Sequence, residues 1–75
     1  MKLSECLLSK SLKIVEINCG ENIRERLAIL GVLKGCKIIV VRKAPFNGPI
    51  EIKTRDFYLA IRKSQADKIF VEYYD

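Results

Sequence analysis

The stretch Arg26-Leu27-Ala28-Ile29-Leu30-Gly31-Val32-Leu33-Lys34-Gly35 ends one helix and prepares one β-strand within ten residues. Upstream, Ile23, Leu27 and Leu30 recur at helical spacing and share one face, while Arg24 and Glu25 point to water. The sequence predicts that Asn22 caps this helix through its side-chain oxygen and that Glu25 reaches back to the cap's own N–H. Gly31 is expected to take the left-handed conformation that ends helices, with Val32 contacting Leu27 behind it. Gly35 punctuates the chain again, ahead of the apolar, β-branched run Cys36 to Val41.

Everything downstream carries the alternation of strands. Expected strands are Leu12 to Ile17 before the helix, then Lys37 to Lys43, Ile50 to Thr54, Phe57 to Arg62 and Lys68 to Tyr74. In the third, Ile50, Ile52 and Thr54 alternate with Glu51, Lys53 and Arg55, giving one buried and one wet face. The fourth is expected to turn Phe57, Leu59 and Ile61 inward. Between strands two and three, Pro45-Phe46-Asn47-Gly48-Pro49 is a turn cluster: Asn-Gly favours positive φ, and each proline removes a ladder donor. Ser64 to Asp67 leaves room for one helical turn. A meander with no space for crossover helices points to a mostly β fold, a small SH3-like antiparallel barrel of five strands with one short helix between strands one and two.

Three segments, RLAILGVLKG (26–35), KAPFNGPIEI (43–52) and LAIRKSQADKIFV (59–71), together resemble the FeoA family, small cytosolic proteins associated with bacterial ferrous-iron uptake. The elements that carry the resemblance are Arg26-Leu27, Gly31, Gly35, the Pro45/Pro49 hairpin, Leu59 and Arg62, and Ala66, in that order and spacing. Ser9-Lys10 and Arg55-Asp56 stand where the family usually has glycines. The resemblance implies the same barrel. It also implies a cytoplasmic accessory that docks on the membrane transporter FeoB, which carries a GTP-binding domain on its cytosolic side. The barrel further resembles the C-terminal domain of iron-dependent repressors, but this chain has no room for DNA-reading helices, so a partner role is favoured over a repressor relative. Transition-metal binding, of iron, is implied only by that kinship.

Composition bounds the rest. At 75 residues the chain is expected to form a single domain, residues 1–75, burying roughly 60% of its unfolded surface. No run approaches the roughly 20 apolar residues that span a bilayer, and Met1 to Leu12 lacks a signal peptide's apolar centre. Cys6, Cys19 and Cys36 form no CxxC pair and histidine is absent, so zinc spacing is missing and no cofactor is expected to be needed for folding. The cysteines read as small apolar residues, with Cys19 the most open to chemistry. Without histidine there is no ready general base, and Ser4, Ser9, Ser11 and Ser64 lack activating partners, so an enzyme is not expected.

The net charge of +5 admits nucleic acid as a rival partner, with Tyr58, Phe70, Tyr73 and Tyr74 as stacking platforms. The bases are nonetheless dispersed among acids in runs of at most two, so nucleic-acid binding is not expected. For the partner surface the sequence favours Pro45, Phe46, Asn47, Gly48 and Pro49, with Arg42 and Lys43 at the base and Arg26 as a second contact. Phe70 to Tyr74 is expected to be an edge strand, which would invite a homo-oligomer.

Overall fold

The computed structural model describes residues 1–74. A 3-10 turn at Leu3–Glu5 leads into β1 (Ser11–Ile17), α1 (Glu21–Ile29), β2 (Lys37–Lys43), β3 (Ile50–Lys53), β4 (Tyr58–Ile61), the single turn α2 (Lys63–Ala66) and β5 (Ile69–Tyr73). Five strands, one main helix and their order are as the alternation predicts; the ends differ by a residue or so.

All pairings are antiparallel, in the order β4-β3-β2-β1-β5. A flat sheet would be only about 10 Å thick with its facing layer. Here the molecule measures 29 × 27 × 23 Å, so the sheet is rolled around its own apolar face. Register irregularities between Ile14 and Glu16 and between Val40 and Arg42 supply the bends that rolling requires. Inside lie Leu12, Ile14 and Ile17 of β1, Ile38 and Val40 of β2, Ile50 and Ile52 of β3, Ile61 of β4, and Ile69 and Val71 of β5. Leu3 and Cys6 close one end, and Leu27, Val32 and Ala66 add to the core from outside the sheet. Branched aliphatics fill this interior. None of the six aromatic residues is buried.

The helix end follows the sequence closely. The Val32 N–H donates to the Leu27 carbonyl at 2.8 Å and the Gly31 N–H to the Ala28 carbonyl at 2.9 Å, with Gly31 at φ +85°. This pair of bonds is the Schellman arrangement, and Leu27 and Val32 both join the core beneath it. The helix start does not follow. Gly20, at φ +84°, turns the chain in and the helix begins at Glu21, so Asn22 lies inside the first turn and no side-chain cap forms. Backbone freedom at Gly20 replaces the Asn22–Glu25 exchange.

Two further expectations are corrected, for Phe57 and for β5. Phe57 is 39% exposed instead of facing inward, because Thr54 closes the β3–β4 turn through its N–H and Oγ1, both donating to the Phe57 carbonyl, and β4 starts one residue later. Ser9, where related sequences carry glycine, adopts φ +64°, and its N–H is held by the Val40 carbonyl at 2.8 Å. β5 is not a bare edge. Its outer side is covered by the chain's own start: Val71 donates to the Met1 carbonyl at 2.8 Å, the Met1 ammonium donates to the Val71 carbonyl, and Lys2 bridges to Phe70. This cover reaches Phe70 and Val71 of the edge on which self-pairing is expected.

A polar tie also holds the start of the chain. Ser4 Oγ donates to Asp67 Oδ1, and Lys63 pairs with the same carboxylate at 3.2 Å. The Ser4 hydrogen bond first, and Lys63 second, hold the Asp67 carboxyl below the usual aspartate range.

Two predictions follow from these ends. A Cβ at Gly31 would touch nothing within 4 Å, so its substitution costs only backbone strain. Gly31→Val should destabilise by about 1–3 kcal/mol in denaturant unfolding, and Gly31→Asn by less, since asparagine tolerates the left-handed region. For Asp67, a depressed folded-state pKa means that its contribution is present above the ordinary aspartate pKa and is lost as pH falls through the folded value. Melting followed from about pH 6 to pH 3 should therefore fall more steeply for the native chain than for Asp67→Asn.

Candidate docking surface

The expected contact hairpin is built by two prolines and one tight turn. Ala44 donates to the Pro49 carbonyl at 3.0 Å, and Gly48 to the Pro45 carbonyl at 3.2 Å, leaving Phe46 and Asn47 as the two central residues. Both have positive φ, +58° and +60°, the conformation of a type I′ turn. The left-handed pair is thus Phe46-Asn47, one residue earlier than Asn47-Gly48. Gly48 is required for a different reason: a Cβ there would lie 2.7 Å from the Ala44 Cβ.

A bulky aromatic at positive φ is an outlier that costs about 1–2 kcal/mol. Phe46 recovers none of this by packing, because it is 99% exposed. It therefore cannot plug the barrel, and its ring stands clear of the fold on a short, hydrogen-bonded stalk. At the base, Arg42 is largely exposed and loosely paired with Glu51 at 3.9 Å. Lys43 is engaged elsewhere: its Nζ donates to the Cys6 carbonyl at 2.5 Å, fastening the N-terminal segment to β2.

The remaining sequence-predicted residues divide between scaffold and surface. Leu27 and Ala66 are buried, Leu59 is half-buried against the core, and Gly31 and Gly35 hold positive φ. The Arg62 carbonyl accepts the first bonds of α2 while its side chain is exposed. Arg26 is exposed on α1, which precedes β2, whereas the hairpin joins the end of β2 to β3. The structure does not bring Arg26 to the hairpin.

One feature had no local signal in the sequence. A groove of about 800 Å³ runs between the start of β2 and the β3–β4 turn, with Gly35, Ile38, Lys53, Arg55, Phe57 and Tyr74 among its walls. Lys37 Nζ lies 4.2 Å from the centre of the Tyr74 ring. Lys53 sits 5.9 Å over the Tyr58 ring. Both tyrosine faces are thereby occupied by cations of the same chain.

The donor set argues against a resident metal. Among the described residues no group of three or more Cys, Asp or Glu side chains converges. Burial pushes the Cys6 and Cys19 thiols up, away from the thiolate form, and Cys19 Sγ donates to the Gln65 carbonyl at 3.4 Å. Cys19 is thus less reactive than its turn position suggests. No helix among the described residues is long and apolar enough to cross a membrane.

Comparison with known proteins meets this picture at every level. The FeoA domain model matches residues 1–73. A fusion protein of Porphyromonas gingivalis, joining Fe(2+) transport protein A to the Fe(2+) transporter FeoB, is 32% identical over 72 residues. That match takes in 96% of this chain and only 8% of the fusion protein. The solution structure of FeoA from Chlorobium tepidum superposes with a TM-score of 0.92 at 32% identity, covering 100% of this chain and 71% of that one. The FeoA of Stenotrophomonas maltophilia, crystallised with zinc and described as a procaryotic SH3 domain protein, gives 0.78 at 29% identity over 96% of this chain and 89% of its own. ScaR with bound Zn2+, at 15% identity and a TM-score of 0.87, shares the fold over 37% of its length. The rolled sheet is thus SH3-like, and a match running from the first residue to β5 makes this chain a member of the FeoA family.

Proposed function

We propose that this chain is a non-enzymatic docking module of bacterial ferrous-iron uptake, acting in the cytoplasm on the cytosolic part of a FeoB-type transporter. The observation that carries this reading is the fusion of the equivalent segment to FeoB in one Porphyromonas gingivalis polypeptide. Fusion holds a module at high effective concentration beside its partner, which is useful only if the two act together. The fold agrees with a binding role. The core is filled by the scaffold's own side chains.

The contact is made by the Pro45–Pro49 hairpin, with Phe46 as the anchor and Arg42 beside it. An aromatic held at positive φ in full exposure costs stability in the free protein and returns it only when covered. The two prolines keep the stalk out of any sheet, so side chains and not backbone pairing supply the contact.

Stability and binding should therefore separate in one variant. Phe46→Ala is expected to change unfolding free energy by less than about 0.5 kcal/mol, and Phe46→Gly to raise it slightly by relieving the left-handed strain. Co-purification with the cytosolic part of FeoB should weaken by about 2 kcal/mol, roughly thirtyfold in Kd, for either variant. A stability loss near 3 kcal/mol, or unchanged binding, would show that Phe46 does something else.

A further inference from the structure

Among the described residues no strand or backbone hydrogen bond covers the outer edge of β4. Register fixes which backbone groups face it. Thr54 bonds Phe57 across the turn, so by antiparallel alternation Leu59 and Ile61 pair with Ile52 and Ile50, while Tyr58 and Ala60 direct their N–H and C=O groups away from β3. Among the described residues no backbone bond from any other element reaches Tyr58 or Ala60. β5, the opposite edge of the sheet, is covered by Met1 and Lys2. β4 also lacks the usual protections: the strand Tyr58-Leu59-Ala60-Ile61 contains no charge, no proline and no bulge.

The side chains along this edge specify what fits it. On the outer face, Tyr58 is 60% exposed with Lys53 beside it in register, Ala60 is exposed beside Glu51, and Arg62 follows. Glu51 is already paired with Arg42, so the uncompensated charges of this face are the cations Lys53 and Arg62. On the inner face, Leu59 is half-buried against the core and Ile61 is buried.

We infer that the β4 edge binds an extended segment of a partner protein, added as a sixth antiparallel strand, in which acidic and apolar residues alternate. The acidic side chains fall opposite Tyr58 and Ala60, within reach of Lys53 and Arg62, and the apolar ones fall opposite Leu59. Backbone bonds to Tyr58 and Ala60 supply the attachment and the alternation supplies the selectivity. A second copy of this chain is the poorer occupant. Both copies carry +5, and pairing β4 with itself would align two cationic margins. This surface is separate from the Phe46 hairpin and does not depend on which transporter that hairpin contacts.

The test is an amide-resolved NMR titration of the 15N-labelled chain with a blocked octapeptide of alternating glutamate and valine, and with its lysine–valine counterpart. The glutamate peptide should shift the Tyr58 and Ala60 amides and slow their exchange about tenfold or more, and the lysine peptide should bind at least about tenfold more weakly. Ala60→Pro removes an outward N–H without touching the β3 ladder, and should abolish the response while the protein stays folded. Arg62→Glu leaves the edge backbone intact and should weaken the glutamate peptide about tenfold, which keeps the test decisive if the proline variant unfolds. Absence of binding, equal response to both peptides, or shifts confined to other elements would overturn the inference. So would β4 shifts that grow with protein concentration alone, since they would mean self-pairing.

Discussion

The structure depends on how the chain leaves its helix. Gly31 at positive φ lets Val32 bond back to Leu27, and three residues later Gly35 donates to the Ile14 carbonyl at 2.7 Å while Ile14 donates to Cys36 at 2.9 Å. These contacts bring the start of β2 to the middle of β1 and fix their register, continued by Lys13 with Lys37 and Leu12 with Ile38. A slip of one residue would turn Ile38 and Val40 to water and Lys37 and Ile39 to the core. Because β3 and β4 are built by successive hairpins on β2, their faces inherit that register. The tip of the first hairpin and the open edge of the second are positioned from the same two glycines.

Much of this was legible in the sequence because the signals were local. Period-two alternation identified all five strands, with β2 bounded by the same residues, and Gly31 behaved as its place after Leu30 requires. The misreadings arose where a longer-range constraint won. Asn22 is a good cap residue, but Gly20 turns the chain first. Asn47-Gly48 looks like the positive-φ pair, yet closure by Ala44 and Pro49 shifts the turn by one residue, and the Ala44 Cβ claims the space that makes Gly48 necessary. The closed edge of β5 was invisible because Met1 and Val71 are 70 residues apart, and the groove beside Tyr74 likewise joins segments remote in sequence.

The site follows the same division. The hairpin could be read as a contact surface from its composition, and the structure adds why Phe46 is free to serve: nothing in the fold holds it. Lys43, read at the base of the hairpin, is tied to Cys6, and Arg26, read as a second contact, is exposed on α1. Of the four aromatics that a nucleic-acid surface would use, Tyr74 and Tyr58 each have a lysine of the same chain beside the ring. The two contacts proposed above rest on exposed features, an aromatic beside one arginine and a strand edge between two cations.

The central claim is that contact with the FeoB-type transporter is made through the hairpin and not through α1. It is tested most directly by mapping backbone amide shifts of the labelled chain on addition of the purified cytosolic part of FeoB. The account predicts that the largest perturbations fall on Phe46, Asn47, Gly48 and their neighbour Arg42, with α1 undisturbed. Perturbations centred on α1 around Arg26, with the hairpin unchanged, would contradict it.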